Sequence, residues 1–134
     1  MNGKYQRILV PYDGSKFSKK ALAEAIEIAK KFDSNLHLLT VMDTLAVAPP
    51  TFYGMPGAIF DIKKFEKYYN AATSKTDLML RNEVSRCKEQ GTNADYEIIT
   101  GSPGSTILEF AKKKKIGLIV MGSQVSRHMI CCTV

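Results

Sequence analysis

Three short stretches carry residues whose types suit a phosphorylated ligand. The first is Pro11-Tyr12-Asp13-Gly14-Ser15, where a short carboxylate stands in a turn after an apolar run. Asp13 in that place is able to accept from a ribose hydroxyl or an adenine amine. Asp-Gly is also ordinary turn chemistry, in which the carboxylate caps nearby N–H groups. The residues alone leave both readings open. The second stretch is Val41-Met42-Asp43, where a backbone group is able to read an adenine edge. The third is Met121-Gly122-Ser123. Gly122 would let the backbone come close to a phosphate, and Ser123 adds a hydroxyl and an N–H.

Those stretches become interesting because of what precedes them. Each ends a short apolar run that reads as a buried strand: Arg7 to Pro11, Leu36 to Val41, and Ile116 to Met121. A further strand is expected from Ala94 to Thr100. Between the runs lie helical patterns. In the first, Leu22, Ala25, Ile26, Ala29 and Phe32 recur at three- and four-residue spacing, and Ser18 is the expected N-cap. A long helix is expected from Asp61 to Gln90. Its inward face is Phe65, Tyr68, Tyr69, Ala72, Thr76, Met79, Leu80, Val84 and Cys87, and Gly91 closes it. In the third, Ser102 caps and Pro103 takes the first position, with Ile107, Leu108 and Ala111 facing the core and Phe110 at its margin. Residues 43–60 hold three prolines and two glycines and read as a long loop.

Strands separated by helices imply parallel pairing through right-handed crossovers. Strands apolar on both faces imply helices on both sides of the sheet. The expected fold is therefore α/β and doubly wound, one domain over residues 1–134. In such folds ligands bind at the carboxyl ends of the strands, where the strand order reverses. That is where Asp13, Val41 and Gly122 stand.

Bulk properties narrow the alternatives. Apolar residues make up 45% and charged residues 24%, an ordinary globular composition. The net charge is +6, but it is dispersed apart from Lys112 to Lys115, which reads as a solvated helix C-terminal turn. With no Trp, no arginine cluster and no aromatic stripe, nucleic-acid binding is not expected. No apolar run is long enough for a membrane span, and the N-terminus lacks a signal-peptide pattern. The cysteines Cys87, Cys131 and Cys132 make an odd count and form no disulfide framework, which suits the cytoplasm. His37 and His128 are far apart and there is no C-x-x-C, so no metal site of the chain's own is expected. No nucleophile is paired with a base and no Walker A pattern occurs, so catalysis is not expected beyond slow ATP hydrolysis at most.

Taken together, ILVPYDGS, ALAEAIEIAKKFDSNLHLLTV, GSPGSTILEFAKKKK and GLIVMGS resemble the universal stress protein family in both order and spacing. The resemblance spans nearly all of residues 5 to 123. It implies a Rossmann-like, adenine nucleotide alpha hydrolase-like fold with a five-stranded parallel sheet in the order 3-2-1-4-5. It also implies a homodimer built by pairing last strands. In the ATP-binding branch it implies an adenine nucleotide, ATP or AMP, at the first and fourth strand ends. Carried over by position, Pro11, Tyr12 and Asp13 lie by ribose and base, Val41 contacts adenine, and Met121, Gly122 and Ser123 begin the phosphate loop.

The chain departs from that branch after the fourth strand. The family loop there is G-x2-G-x9-G-S/T. With Gly122 as its first glycine, the second falls at Val125 and the third beyond Val134. VSRHMICCTV resembles the end of the family pattern, with Arg127 and His128 closing a last helix and Cys131 to Val134 forming a shortened last strand. Two functions are therefore expected to compete. One is an adenine-nucleotide-binding stress-response regulator with weakened phosphate binding. The other is a nucleotide-independent dimeric interaction module of the same family.

Overall fold

The computed structural model describes residues 5–42, 62–122 and 129–133, excepting the side chains of 62–65, 68 and 129–133. The elements are β1 (Arg7–Pro11), α1 (Lys16–Phe32), β2 (Asn35–Met42), α2 (Ile62–Glu89), β3 (Ala94–Thr100), α3 (Pro103–Lys113), β4 (Leu118–Gly122) and β5 (Met129–Thr133). The expected loop at 43–60 lies outside the described residues, as do Ser123, Val125, Arg127 and His128.

The strands pair in the order β3-β2-β1-β4-β5. β1 runs parallel to β2, from Arg7↔Asn35 to Pro11↔Leu39, and parallel to β4 at Ile8↔Leu118 and Leu9↔Ile119. β2 and β3 are parallel from Leu36↔Ala94 to Met42↔Thr100. β1 is thus central, and Ile8, Leu9 and Val10 are fully buried, which is what an apolar run without alternation requires.

One expectation fails at the sheet edge. β5 pairs with β4 antiparallel, Leu118↔Thr133 to Gly122↔Met129, so the sheet is not parallel throughout. The reason is chain length. Only residues 123–128 lie between the two strands. A parallel return needs a crossover of about a dozen residues or more, whereas an antiparallel partner needs only a short connection.

The two faces of the sheet are covered differently. Ile8, Val10, Leu36, Leu38 and Val120 pack with Ala21, Leu22, Ala25 and Ala29 of α1 and Leu80, Val84 and Cys87 of α2. On the other face Leu9, Leu39 and Ile119 pack with Phe110, Ala111 and Ile116, at and beyond the end of α3. Phe110 is a core residue there, 5% exposed, while Leu108 is 56% exposed, the reverse of the expectation. Partly buried Ile107 and buried Phe110 and Ala111 follow helical spacing, and Leu108 falls one residue, about 100°, off that stripe. In α2 the expected face is met by Leu80, Val84 and Cys87, which are buried. Phe65 and Tyr68 have side chains outside the described residues. The helix ends rest on left-handed positions: Asp33 at φ 52 closes α1 and Gly91 at φ 83 follows α2.

Candidate functional site

The turn from β1 into α1 builds the first wall of a hollow at the carboxyl ends of the strands. Gly14 sits at φ 83, in the left-handed region that glycine enters without strain. The backbone thus reverses tightly, and the Ser15 N–H donates to Asp13 Oδ1 at 2.8 Å. Ser15, not Ser18, is the N-cap of α1: its Oγ accepts from the Ser18 N–H at 3.2 Å. Ser18 lies one turn in, buried, its hydroxyl donating to the Ser15 carbonyl at 2.9 Å. Partial burial pushes the Asp13 pKa upward, but hydrogen bonds from Ser15 and Ser18 outweigh it and hold the carboxyl below its ordinary range. At neutral pH Asp13 is an ionised acceptor at the rim of the hollow.

Tyr12 contributes differently from what its position suggests. Its side chain belongs to the core beneath α1 and α2, 2% exposed. Its hydroxyl is buried near the Glu83 carboxylate, and burial, with that carboxylate second, pushes its pKa up to about 12. Tyr12 also lines the hollow, and its backbone is tied to β2. The Tyr12 N–H donates to the Leu39 carbonyl at 2.8 Å, and Thr40 Oγ1 donates to the Tyr12 carbonyl at 2.5 Å.

The opposite wall is the end of β4. A Cβ on Gly122 would stand 2.4 Å from the Phe17 carbonyl oxygen and 2.6 Å from its carbon, both helix backbone atoms. Glycine is required there so that β4 can lie against the first turn of α1, a requirement separate from any phosphate. The third wall is the start of α3. Ser102 has extended backbone, φ −76 and ψ 125, and Pro103 takes the first turn, but the Ser102 side chain makes no capping bond. Ile107 faces inward one turn later, against Leu9 and Leu39 with Val41 and Met121.

These walls enclose about 270 Å³. That is near the lower end of small-molecule sites, about 300–1,000 Å³. Pro11, Tyr12, Asp13, Val41, Met121 and Gly122 all line it, so the fold gathers every described member of the expected set. Ser123 is outside the described residues. Ser15, Ser18, Thr40, Pro103 and Ile107 also line it and were not expected. Their signal was present: Ser15 precedes Ser18 by three, the spacing of a capping pair, and GSPGS follows a strand just as PYDGS does. Asp13 is the one charged residue among the lining. A ligand here would give hydroxyl or amine donors to Asp13, apolar surface to Val41, Ile107 and Met121, and any anionic group to backbone N–H at the helix starts. Among the described residues there is no group of three or more His, Cys, Asp or Glu able to hold a metal ion. No described helix is long and apolar enough to cross a membrane.

Comparison with known proteins agrees with this architecture. The model of the universal stress protein family matches residues 4–130. A universal stress protein of Methanocaldococcus jannaschii is 34% identical over 119 residues, covering 89% of this chain. The match takes in 65% of that relative's own length, so the chain spans somewhat less than two thirds of it. Among solved structures, the universal stress protein UspA of Lactobacillus plantarum superimposes with a TM-score of 0.71 at 26% identity, over 95% of this chain and 85% of that one. A universal stress protein family member from Arabidopsis thaliana, solved with AMP bound, superimposes with a TM-score of 0.65 at 20% identity, over 90% of this chain and 78% of its own. Fold, family model and curated relative coincide: the chain belongs to the universal stress protein family.

Proposed function

We propose that this chain binds an adenine nucleotide in the hollow between β1, β2, β4 and α3, and serves as a nucleotide-responsive regulator in a cytoplasmic stress response. The observation that carries the reading is a single pocket lined by an ionised Asp13, an apolar strip and the starts of two helices. An ionised acceptor suits the hydroxyls of a ribose. The strip of Val41, Ile107 and Met121 suits the flat apolar faces of a base. The uncapped start of α3 and the β4 end suit a phosphate. The AMP held by the Arabidopsis relative supports the choice of ligand class.

Triphosphate binding is weakened on this reading. Where the resembling branch has the second glycine of its phosphate loop, this chain has Val125. Successive backbone N–H groups cradle phosphates best where glycine permits the conformation. Each charge-assisted bond lost is worth about 1.5–3 kcal/mol. AMP and adenosine, which rely on base and ribose, suffer less. Magnesium enters only with ATP, and turnover is at most slow.

The test is calorimetric titration of the protein with ATP, AMP and adenosine. The expected order is AMP at least as tight as ATP, with adenosine retaining most of the affinity. ATP bound at low micromolar affinity and tighter than AMP would sink the weakened-phosphate reading. No binding of any of the three would leave the family's dimeric interaction module as the function. That second reading has its own support in β5, the last strand in the sheet order among the described residues, since a strand at a sheet edge is a template for pairing with a second copy. Sedimentation at micromolar concentration reads the dimer directly.

A further inference from the structure

A second hollow lies at the opposite end of the sheet, among the first residues of β1, β2 and β3. It encloses about 280 Å³, as much as the nucleotide pocket, and shares no lining residue with it. Arg7 and Lys114 stand in its wall. The Arg7 guanidinium donates Nη1 to the Lys114 carbonyl at 2.8 Å, which ties the side chain to the turn after α3. Neither cation has a carboxylate within ion-pair distance among the described residues. The one carboxylate in the wall, Asp95, is occupied by His37, Nδ1 to Oδ1 at 2.6 Å. Asn35 and Asn93 complete the polar lining, and their side-chain amides make no hydrogen bond among the described residues.

The hollow is thus lined by a guanidinium with one hydrogen bond among the described residues and by two amides with none, and Lys114, whose ammonium lies 6.0 Å from the Phe110 ring centroid, stands in the same wall. A guanidinium presents its donors as a planar fork that matches the two oxygens of a carboxylate or phosphate. The basic last turns of α1 and α3 (Lys30, Lys31, Lys112, Lys113) add a positive field that draws anions toward this end. We propose that this hollow is a second ligand site, for the phosphate or carboxylate group of a small molecule. Arg7 and Lys114 hold its charge, and Asn35 and Asn93 donate to its remaining oxygens. Asp95 opposes the anion and sets its affinity low, while its hold on His37 keeps the ring against the wall. The proposal does not rest on nucleotide binding at the other end.

The test is NMR titration of the whole chain with inorganic phosphate, pyrophosphate and citrate, following backbone and side-chain amides and the His37 ring. A saturable shift at Asn35, Asn93 and His37 with any of the three supports the site, and the tightest probe tells phosphate from carboxylate. Arg7→Gln and Lys114→Gln should each weaken binding about tenfold, the loss of one charge-assisted contact. Asp95→Asn should tighten it several-fold, a gain that damage to the fold cannot mimic. Adenosine, which carries no phosphate or carboxylate, should not displace the probe. The proposal is overturned if no probe saturates by about 10 mM, or if Lys112→Gln and Lys113→Gln, outside the hollow, weaken binding as much as Arg7→Gln.

Discussion

The helices α1 and α3 both begin beside the hollow at the carboxyl ends of the strands, and both begin with a serine after a glycine, yet the two starts are built differently. At α1 the polar groups satisfy one another. Asp13 takes the Ser15 N–H, Ser15 takes the Ser18 N–H, and the Ser18 hydroxyl returns to the Ser15 carbonyl. At α3 the corresponding hydroxyl of Ser102 caps nothing, and the N1 position is a proline without an N–H. The first-turn donors of a helix have no partners within it. At α1 the protein supplies partners, and at α3 it leaves them to solvent or ligand. A turn that looks made for a ligand is thus largely self-contained, and one that looks merely structural offers the open donors.

The sharpest way to break this comparison is at Gly122, the residue that seats the α1 start against β4. In Gly122→Ala the new Cβ would have to displace the Phe17 carbonyl, which belongs to a helix and not to the flexible tip of a side chain. Overpacking of this kind costs about 1–3 kcal/mol. We expect the upper end of that range in urea denaturation, with an unchanged slope. A cost within error would mean that the α1 start moves freely and that its hydrogen bonds, not its contact with β4, define it.

Next in size comes the pair of capping serines. Ser15→Ala removes a formed cap and should cost about 1 kcal/mol. Ser102→Ala removes a hydroxyl that caps nothing and should stay within about 0.5 kcal/mol, as for an ordinary surface substitution. Equal costs in thermal or urea unfolding would erase the distinction between the two helix starts.

How far the sequence revealed these starts follows from the physics of each. β1, β2 and β4 were legible to within a residue or two because burial forces nearly continuous apolar runs, and β3, at the end of the sheet order, through the alternation of a strand half exposed. The pocket membership of Asp13, Val41 and Gly122 was legible because a parallel sheet brings its carboxyl ends together whatever the loops do. The cap of α1 was misplaced by three residues. Ser15 and Ser18 are both competent, and only the left-handed Gly14 decides between them. Tyr12 was assigned to the ligand by position; it lines the hollow, and it is also part of the core, a burial that a place one step past a strand does not reveal. The antiparallel β5 was hidden by family resemblance, although residues 123–128, which alone separate it from β4, are too few for a crossover. The hollow around Arg7 and Lys114 was invisible because its residues come from four separate segments, none with a motif of its own.

The smallest expected effect is the most specific to the α1 start. Asp13→Asn keeps an Oδ1 acceptor for the Ser15 N–H and removes only the charge. Asp13 has its pKa held below the ordinary carboxylate value, so the folded state prefers the ionised form more than the unfolded state does. A group shifted in that direction stabilises the fold above its unfolded pKa and loses the contribution as pH falls through its folded pKa. The wild-type protein should therefore lose stability on acidification below about pH 4, and part of that loss should be absent in Asp13→Asn. At pH 7 the difference should be no more than a few tenths of a kcal/mol, because Asp13 is exposed and lies before the first turn. Melting curves of the two proteins at pH 7 and pH 3 read both limbs. If they lose stability in parallel, the Asp13 charge plays no part in the turn, and the Ser15 N–H is served as well by an amide oxygen as by a carboxylate.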